Sequence, residues 1–184
     1  MLLVGGASSR FGSNKALARF EGETLADRAW RVLGEAFGDR IAVGKADDRL
    51  ELPFPLLDDA SPVRHPAAGL VAALPAAPHE VVVALPVDCP RVTPEVLRRL
   101  AAACADAAWP AEAGPLPGAF RRTTLPALEC CLAEDGALRR ALEPLAVHTV
   151  AIDPALLADA DTPPALAAIE NRGPHLTTPH PPKG

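Results

Sequence analysis

Hydrophobic and polar residues alternate in blocks along the 184-residue chain, and the blocks predict strands and helices in turn. Residues 80–85, E-V-V-V-A-L, form a run that is rich in valine and apolar after its first residue, which is typical of a strand buried on both faces of a parallel sheet. Helical spacing of apolar residues predicts a helix over residues 24–37, with Thr24 as its N-cap. Strands separated by helices indicate parallel pairing. The pattern therefore predicts a three-layer α/β fold, with a mostly parallel sheet and helices on both faces.

The other predicted elements continue this alternation. A helix capped by Thr93 is expected to run to about residue 107, and Thr162 is expected to cap the last helix, residues 164–171. The length predicts one domain, residues 1–172, followed by a mobile proline-rich tail, residues 173–184. The remaining predicted strands are 41–43, 54–57, 108–110, 119–122 and 147–150, and the remaining helices are 67–74, 125–133 and 137–142.

The first apolar run, residues 1–4, ends in a loop of small residues that carries two cations. Gly5 and Gly6 allow the backbone to come close to a ligand, and Arg10 and Lys15 suit phosphate. The first 20 residues carry a formal charge of +3, whereas the rest of the chain sums to −8 from 15 basic and 23 acidic residues. We interpret the loop as a phosphate site, and a flexible Gly/Ser turn is the alternative.

Two better-known phosphate loops are excluded by spacing. Gly6 and Gly12 are separated by five residues and Gly12 is followed by Ser13, so the order G-x-x-x-x-G-K-[ST] fails. No G-x-G-x-x-G follows the first strand either. A phosphate loop in this chain must be of another type.

Aspartates follow several predicted strands and turns. Asp88 comes directly after the clearest strand, with a proline two residues away on either side, and ligands bind at the carboxyl ends of strands in open α/β sheets. Asp58 ends another strand, and Asp159 and Asp161 precede the last helix. The alternatives are a turn-forming residue for Asp88, an exposed strand end for Asp58 and Asp59, and a solvated capping pair for Asp159 and Asp161.

The amino-acid composition limits the kinds of partner that the protein is expected to bind. The chain has 49% hydrophobic residues and a formal net charge of −5, which is typical of a globular protein without the broad basic surface that nucleic acids require. No apolar run approaches the roughly 18 residues of a membrane span, so we expect a cytoplasmic protein. The four cysteines lack metal-ligand spacing and are expected to be free thiols; Cys89, beside Asp88, is a buried bystander or a catalytic thiol.

The segment 3–17, L-V-G-G-A-S-S-R-F-G-S-N-K-A-L, resembles the signature loop of the molybdenum cofactor guanylyltransferases, L-A-G-G-x-S-x-R-[MF]-G-x-D-K-A-L. Val4 replaces the usual alanine, and Asn14 replaces the usual aspartate. The segments P-V-D-C-P at 86–90 and D-A-D-T-P at 159–163 are similar to two later motifs, P-x-D-x-P and N-x-[ND]-T-P. The resemblance spans nearly the whole chain.

The resemblance implies a Rossmann-like fold of the nucleotide-diphospho-sugar transferase type. It also implies Mg²⁺-dependent transfer of GMP from GTP to molybdenum-loaded molybdopterin, with release of pyrophosphate and with transient contact to molybdenum-insertion or molybdoenzyme proteins. By the same resemblance, Arg10 and Lys15 would hold the triphosphate, and Asp58 would lie near the base or ribose. The implied catalytic residues are Arg10, Lys15 and Asp88. The implied nucleotide-binding residues are Leu3, Val4, Gly5, Gly6, Lys15, Asp58 and Asp88. The implied metal ligands are Asp88, Asp159 and Asp161.

Departures from the family pattern keep other functions open. Asp159 and Asp161 stand where guanylyltransferases commonly have asparagines, so a cytidylyltransferase for the same acceptor or a sugar-phosphate nucleotidyltransferase is the nearest alternative. Asn14, Gly44 and His65 each replace a motif residue, which would suit a non-catalytic nucleotide-binding assembly or regulatory protein. His65 itself could reach a phosphate or be a solvated loop histidine.

Overall fold

The computed structural model describes residues 1–4 and 14–172. The strands are β1 (Leu2–Leu3), β2 (Arg19–Phe20), β3 (Glu23–Thr24), β4 (Ala42–Gly44), β5 (Leu56–Asp58), β6 (Val81–Pro86), β7 (Ala107–Pro110), β8 (Gly118–Arg121) and β9 (Val147–Val150). Seven of these strands form one sheet in the order β5-β4-β1-β6-β8-β7-β9, and β2 and β3 form a separate hairpin. Within the seven-stranded sheet, all pairings are parallel except those of β8, which runs antiparallel to both β6 and β7. The predicted mostly parallel sheet is therefore confirmed.

Helices cover both faces of this sheet, as predicted. The interior residues of β6 are buried and alternate between two hydrophobic clusters, because successive side chains of a strand point to opposite faces. The helices are α1 (Leu25–Ala36), α2 (Pro66–Ala76), α3 (Pro94–Ala103), α4 (Leu125–Ala133), α5 (Leu138–Leu142) and α6 (Pro163–Asn171). Val83 and Leu85 pack with α1, α3 and α6, whereas Val82 and Ala84 pack with α2, α4 and α5. None of the described helices is long and apolar enough to cross a membrane.

Three threonines begin helices as predicted. The side chain of Thr24 accepts a hydrogen bond from the Asp27 N–H of α1, and Thr93 and Thr162 cap α3 and α6 in the same way. The predicted end of α3 at residue 107 is wrong, because the helix ends at Ala103. Ala107 instead begins β7 and is fully buried between β8 and β9. Pairing within the sheet outweighs the helix propensity of this alanine-rich segment.

The shortest strand of the large sheet lies near its centre. The main chain of β1 is hydrogen-bonded on both sides, since Val4 N–H donates to Val43 O at 2.9 Å and Val87 N–H donates to Leu3 O at 3.0 Å. Both neighbours, β4 and β6, are parallel to it. The end of β1 therefore lies between the loops that follow β4 and β6, where open α/β sheets form their ligand crevice.

Candidate functional site

A cleft of about 570 Å³ opens at the carboxyl ends of β1, β4, β5 and β6. Its walls combine backbone and apolar groups at the strand ends with charged side chains from the following loops. Of the predicted site residues, Leu3, Asp88 and Asp159 lie in its wall. The remaining lining residues are Val43, Gly44, Lys45, Asp59, Arg64, His65, Pro66, Gly69, Pro86, Cys89, Ala113, Gly114, Leu116 and Leu157.

Lys15 joins two of the predicted aspartates. Its Nζ lies 2.9 Å from Asp88 Oδ2 and 2.9 Å from Asp161 Oδ1, and the lysine side chain is 12% exposed. Burial alone would lower the pKa of Lys15, but the hydrogen bonds and charges of Asp161 and Asp88 outweigh it and raise that pKa. The ammonium is therefore charged at neutral pH. The structure thus brings together three residues that are distant in the sequence.

Asn14 fixes the start of the short 3₁₀ helix, Lys15–Leu17, that carries this lysine. Its side-chain oxygen accepts a hydrogen bond from Ala16 N–H at 3.0 Å. Asparagine and aspartate are about equally good at this capping position. The replacement of the usual aspartate by Asn14 therefore preserves a capping function that the sequence alone did not reveal.

The loop after β6 ties Asp88 to the segment before α6. Ala160 N–H donates to the main-chain oxygen of Asp88 at 2.8 Å, which sets Asp159 and Asp161 beside it. Asp88 and Asp159 both line the cleft, whereas the Asp161 side chain is 60% exposed and is held by Lys15. The aspartates predicted as metal ligands are thus brought to one place, although their individual roles stay predictions.

Two arginines anchor the same loop to the β2–β3 hairpin. Arg28 donates from Nε to Pro90 O at 2.7 Å, and both Arg28 and Arg91 form ion pairs with Glu21, at 3.0 and 2.9 Å. Both guanidinium groups also lie over the Phe20 ring, about 5 Å from its centre. These contacts hold the loop that carries Asp88 against the hairpin that follows Lys15.

Cys89 lies beside Asp88 but lacks the properties of a nucleophile. The thiol is buried, and burial together with the neighbouring Asp88 charge raises its pKa well above the ordinary range. A protonated thiol is a weak nucleophile, so the bystander interpretation is favoured. All four cysteines are free thiols, as predicted.

Among residues 1–4 and 14–172, no group of three or more histidines, cysteines, aspartates or glutamates could hold a metal ion on its own. Magnesium commonly uses only one or two protein carboxylates, with water and substrate phosphate as its other ligands. The oxygens of Asp88 and Asp161 already converge on one cationic group, the Lys15 ammonium. This oxygen donor set fits magnesium bound together with a triphosphate.

The two adjacent aspartates after β5 have different surroundings. Asp58 accepts hydrogen bonds from the N–H groups of Ala46 and Ala60, both at 3.2 Å, and these bonds lower its pKa. Asp59, rather than Asp58, lines the cleft, where it forms an ion pair of 2.7 Å with Lys45. Lys45 and Asp59 were not predicted from the sequence, although their positions directly after two parallel strands were a usable signal. The role of Asp58 near the base or ribose stays a prediction.

Three of the predicted site residues belong to the glycine loop. Gly5, Gly6 and Arg10 lie outside the described residues. Val4, which precedes the loop, is buried at the end of β1, and Lys15 lies just after the loop. The two described ends of the loop therefore lie at the strand edge where the cleft opens.

His65 has a structural role at the start of α2. Its Nδ1 accepts a hydrogen bond from Ala67 N–H at 3.0 Å, which caps the helix, and its Nε2 lies 3.0 Å from Gly136 O. Because a carbonyl oxygen only accepts and a main-chain N–H only donates, these two contacts place a ring proton on Nε2. Both nitrogens are thus engaged, so the ring is neither a solvated loop histidine nor directed at a phosphate.

We therefore expect His65→Ala to lower the free energy of unfolding by about 1 kcal/mol, because α2 loses its N-cap. Urea denaturation of both proteins measures this change. The control is His65→Asn, which can still cap the helix and should recover most of the loss. Equal stability of the alanine variant and the unmodified protein would contradict the assigned capping role.

Comparison with known proteins identifies the family. The model of the MobA-like NTP transferase domain matches residues 1–167. A molybdenum cofactor guanylyltransferase of Pseudomonas syringae is 32% identical over an alignment that spans 94% of this chain and 93% of that protein. A probable molybdenum cofactor guanylyltransferase of Deinococcus radiodurans is 37% identical over an alignment that spans 67% of this chain and 67% of that protein. A match to a probable enzyme of the same name from Bacillus cereus, at 31% identity, spans 52% of this chain and half of that relative.

Solved structures agree on the fold. The molybdopterin-guanine dinucleotide biosynthesis protein A of Archaeoglobus fulgidus superposes with a TM-score of 0.73 at 22% identity, covering 93% of this chain and 96% of that one. The 2-C-methyl-D-erythritol 4-phosphate cytidylyltransferase of Thermus thermophilus superposes with a TM-score of 0.71 at 18% identity, covering 93% of this chain and 96% of that one. The predicted nucleotide-diphospho-sugar transferase type of fold is confirmed. Because the family model matches residues 1–167, the chain belongs to the MobA-like NTP transferase family of nucleotidyltransferases.

Proposed function

We propose that this protein transfers GMP from GTP to molybdenum-loaded molybdopterin in the cytoplasm, forming the guanine dinucleotide cofactor and pyrophosphate. The main observation in support of this proposal is that the Lys15 ammonium lies between Asp88 and Asp161 at the edge of the cleft. Nearly full-length similarity to a molybdenum cofactor guanylyltransferase supports the choice of nucleotide and acceptor. Proteins that insert molybdenum or use the cofactor are proposed as transient partners.

The proposed reaction is an in-line displacement at the α-phosphorus of GTP. An oxygen of the acceptor phosphate forms the new bond to phosphorus as the bond to pyrophosphate breaks, so no side chain of the protein has to act as nucleophile. The protein therefore contributes mainly by positioning the two substrates and by stabilising charge. The strand-end cleft supplies the positioning, since its walls come from four adjacent strands and the loops after them.

Lys15 and the aspartates supply the charge stabilisation. Lys15 is charged and partly shielded from water, so with a nucleotide in the cleft it can exchange a carboxylate for phosphate oxygens. Asp88 would hold Mg²⁺, with Asp161 or Asp159 completing or orienting the ligand set. The metal ion would neutralise charge on the phosphate oxygens while pyrophosphate leaves. Asp88 and Lys15 thus act on the same phosphates from two sides.

Incubation with α-labelled GTP, Mg²⁺ and molybdenum-loaded molybdopterin tests this function. We expect pyrophosphate release and transfer of label to the acceptor. Turnover with CTP instead of GTP would identify a cytidylyltransferase, the alternative that Asp159 and Asp161 favour. Nucleotide binding without pyrophosphate release would identify a non-catalytic regulatory or assembly protein and would contradict the proposal.

A further inference from the structure

Glu21 lies at the tip of the β2–β3 hairpin in a conformation that is unfavourable for a glutamate. Its φ angle is 50° and that of Gly22 is 87°, and two positive φ angles are the mark of a two-residue type I′ turn. Asparagine followed by glycine is the preferred pair in this turn, because asparagine tolerates a positive φ better than most residues do. The contacts of Glu21 therefore have to offset a cost in the turn itself.

The Glu21 carboxylate joins two arginines from different parts of the chain. Oε2 lies 3.0 Å from a guanidinium nitrogen of Arg28, which belongs to α1, and Oε1 lies 2.9 Å from one of Arg91, in the loop after Asp88. Both guanidinium groups lie over the fully buried Phe20 ring, and their side chains are 18% and 11% exposed. Two cations over one ring repel each other unless an anion lies between them. Among the residues that the structure describes, Glu21 is the only acid that pairs with either arginine.

The hairpin tip also holds the last turn of α6. Glu21 N–H donates to Glu170 Oε1 at 2.7 Å, and Arg91 Nη2 donates to Ile169 O at 3.1 Å. A cation is favourable at the carboxyl end of a helix, where main-chain carbonyl groups lack partners within the helix. These contacts fix α6 at one end, and Asp161 precedes the N-cap at its other end.

Glu21 thus joins the three segments that carry the proposed charge-stabilising residues. The hairpin follows the 3₁₀ helix of Lys15, the loop of Arg91 follows Asp88, and α6 follows Asp161. We propose that Glu21 is a positioning residue for Asp88, because its carboxylate holds the Asp88 loop against both the hairpin and α6. This inference rests on the proposed function and extends it to a residue that does not line the cleft.

An asparagine at position 21 separates this role from a merely structural one. Glu21→Asn removes the charge between the arginines but gives the turn its preferred Asn-Gly sequence, so the melting temperature should change by less than about 3 °C. Pyrophosphate release at saturating substrates should nevertheless fall at least about tenfold, because a displacement of about 1 Å at the reacting groups can lower a rate about a hundredfold. GTP binding in EDTA should be unchanged, since the Asn14 cap and the buried Ala16 hold the Lys15 segment without Glu21.

Two further measurements show whether the effect passes through Asp88. Hydrogen exchange followed by mass spectrometry should be faster over residues 87–92 in Glu21→Asn and unchanged over β6. In the Asp88→Asn background, Glu21→Asn should lower the rate no further, because the position of this loop then no longer matters. Glu23→Asn is the matched control, since it removes an acid of the same hairpin that pairs with Arg31 instead, and it should keep the unmodified rate. If Glu21→Asn fails to fold, Glu21→Gln keeps the side-chain length and should show the same fall in rate.

The outcomes separate this inference from the proposed function. An unchanged rate in the position-21 variants, an equal loss in Glu23→Asn, or a further loss in the Asp88→Asn background would overturn the role of Glu21 while nucleotidyl transfer stands. Faster hydrogen exchange throughout β6 would indicate general destabilisation and would also overturn it. Absence of pyrophosphate release by the unmodified protein would overturn the proposed function itself.

Discussion

Replacing Asp88 by asparagine should lower acceptor-dependent pyrophosphate release by at least about a hundredfold. The substitution keeps the size of the side chain but removes the charge that would hold the metal ion at the phosphates. The main-chain hydrogen bond from Ala160 N–H to Asp88 O does not involve the side chain and should persist. Pyrophosphate release under saturating substrates measures the effect, and circular dichroism confirms that the fold is retained.

A remote aspartate provides the control for this variant. Asp39 lies before β4, at the amino ends of the strands, where it is exposed and contacts His79. Asp39→Asn removes the same charge and should release pyrophosphate at the unmodified rate. Full turnover by Asp88→Asn would show that the metal assignment is wrong, because no other described carboxylate both lines the cleft and contacts Lys15.

Lys15→Met should weaken GTP binding and turnover together, each by at least about tenfold, because both depend on a cation at the phosphates. The substitution also leaves the carboxylates of Asp88 and Asp161 without the ammonium between them. Mutual repulsion should then destabilise the protein, and Mg²⁺ should restore part of that stability by binding the pair. Thermal unfolding with and without Mg²⁺, together with the KM for GTP, measures these effects.

The pH dependence gives a second measure of the Lys15 interaction. The folded protein raises the pKa of Lys15 above its unfolded value, so its stabilising contribution is fully present below the ordinary lysine pKa and is lost as the pH rises through the raised value. The stability difference between the unmodified protein and Lys15→Met should therefore stay constant from pH 7 to about pH 9. Lys15→Arg keeps the charge and should retain more GTP affinity than Lys15→Met. If Lys15→Met had the same KM for GTP as the unmodified protein, phosphate binding by Lys15 would be refuted.

Local sequence signals were sufficient for much of the fold. The valine run of β6 and the threonine before α1 are strong signals within a few residues, and both elements are found where they were predicted. The end of α3 could not be predicted in the same way. Its alanines favour a helix, but from Ala107 onward the chain forms a strand. This strand pairs with two others that lie about 13 and 40 residues further along the sequence. The local pattern of hydrophobic and polar residues does not reveal such long-range pairing.

The sequence predicted which residues belong to the site better than it predicted the contacts between them. The position of Asp88 after a buried strand is a local property, and the structure places it in the cleft. The bond from Lys15 to Asp161 crosses 146 residues and required the complete fold. Asp58 and Asp59 illustrate the same limit, because successive side chains of an extended chain point to opposite sides. Their sequence positions differ by one residue, yet only Asp59 lines the cleft.

The central claim is that Lys15 and Asp88 act on the same triphosphate in the strand-end cleft. A crystal structure with Mg²⁺ and a GTP analogue whose α and β phosphates are joined by a methylene group tests it directly. We predict the metal ion bound to an Asp88 oxygen and to phosphate oxygens, and Lys15 Nζ within hydrogen-bond distance of the same phosphates. A nucleotide bound outside the cleft, or a metal ion without Asp88 among its ligands, would contradict the account.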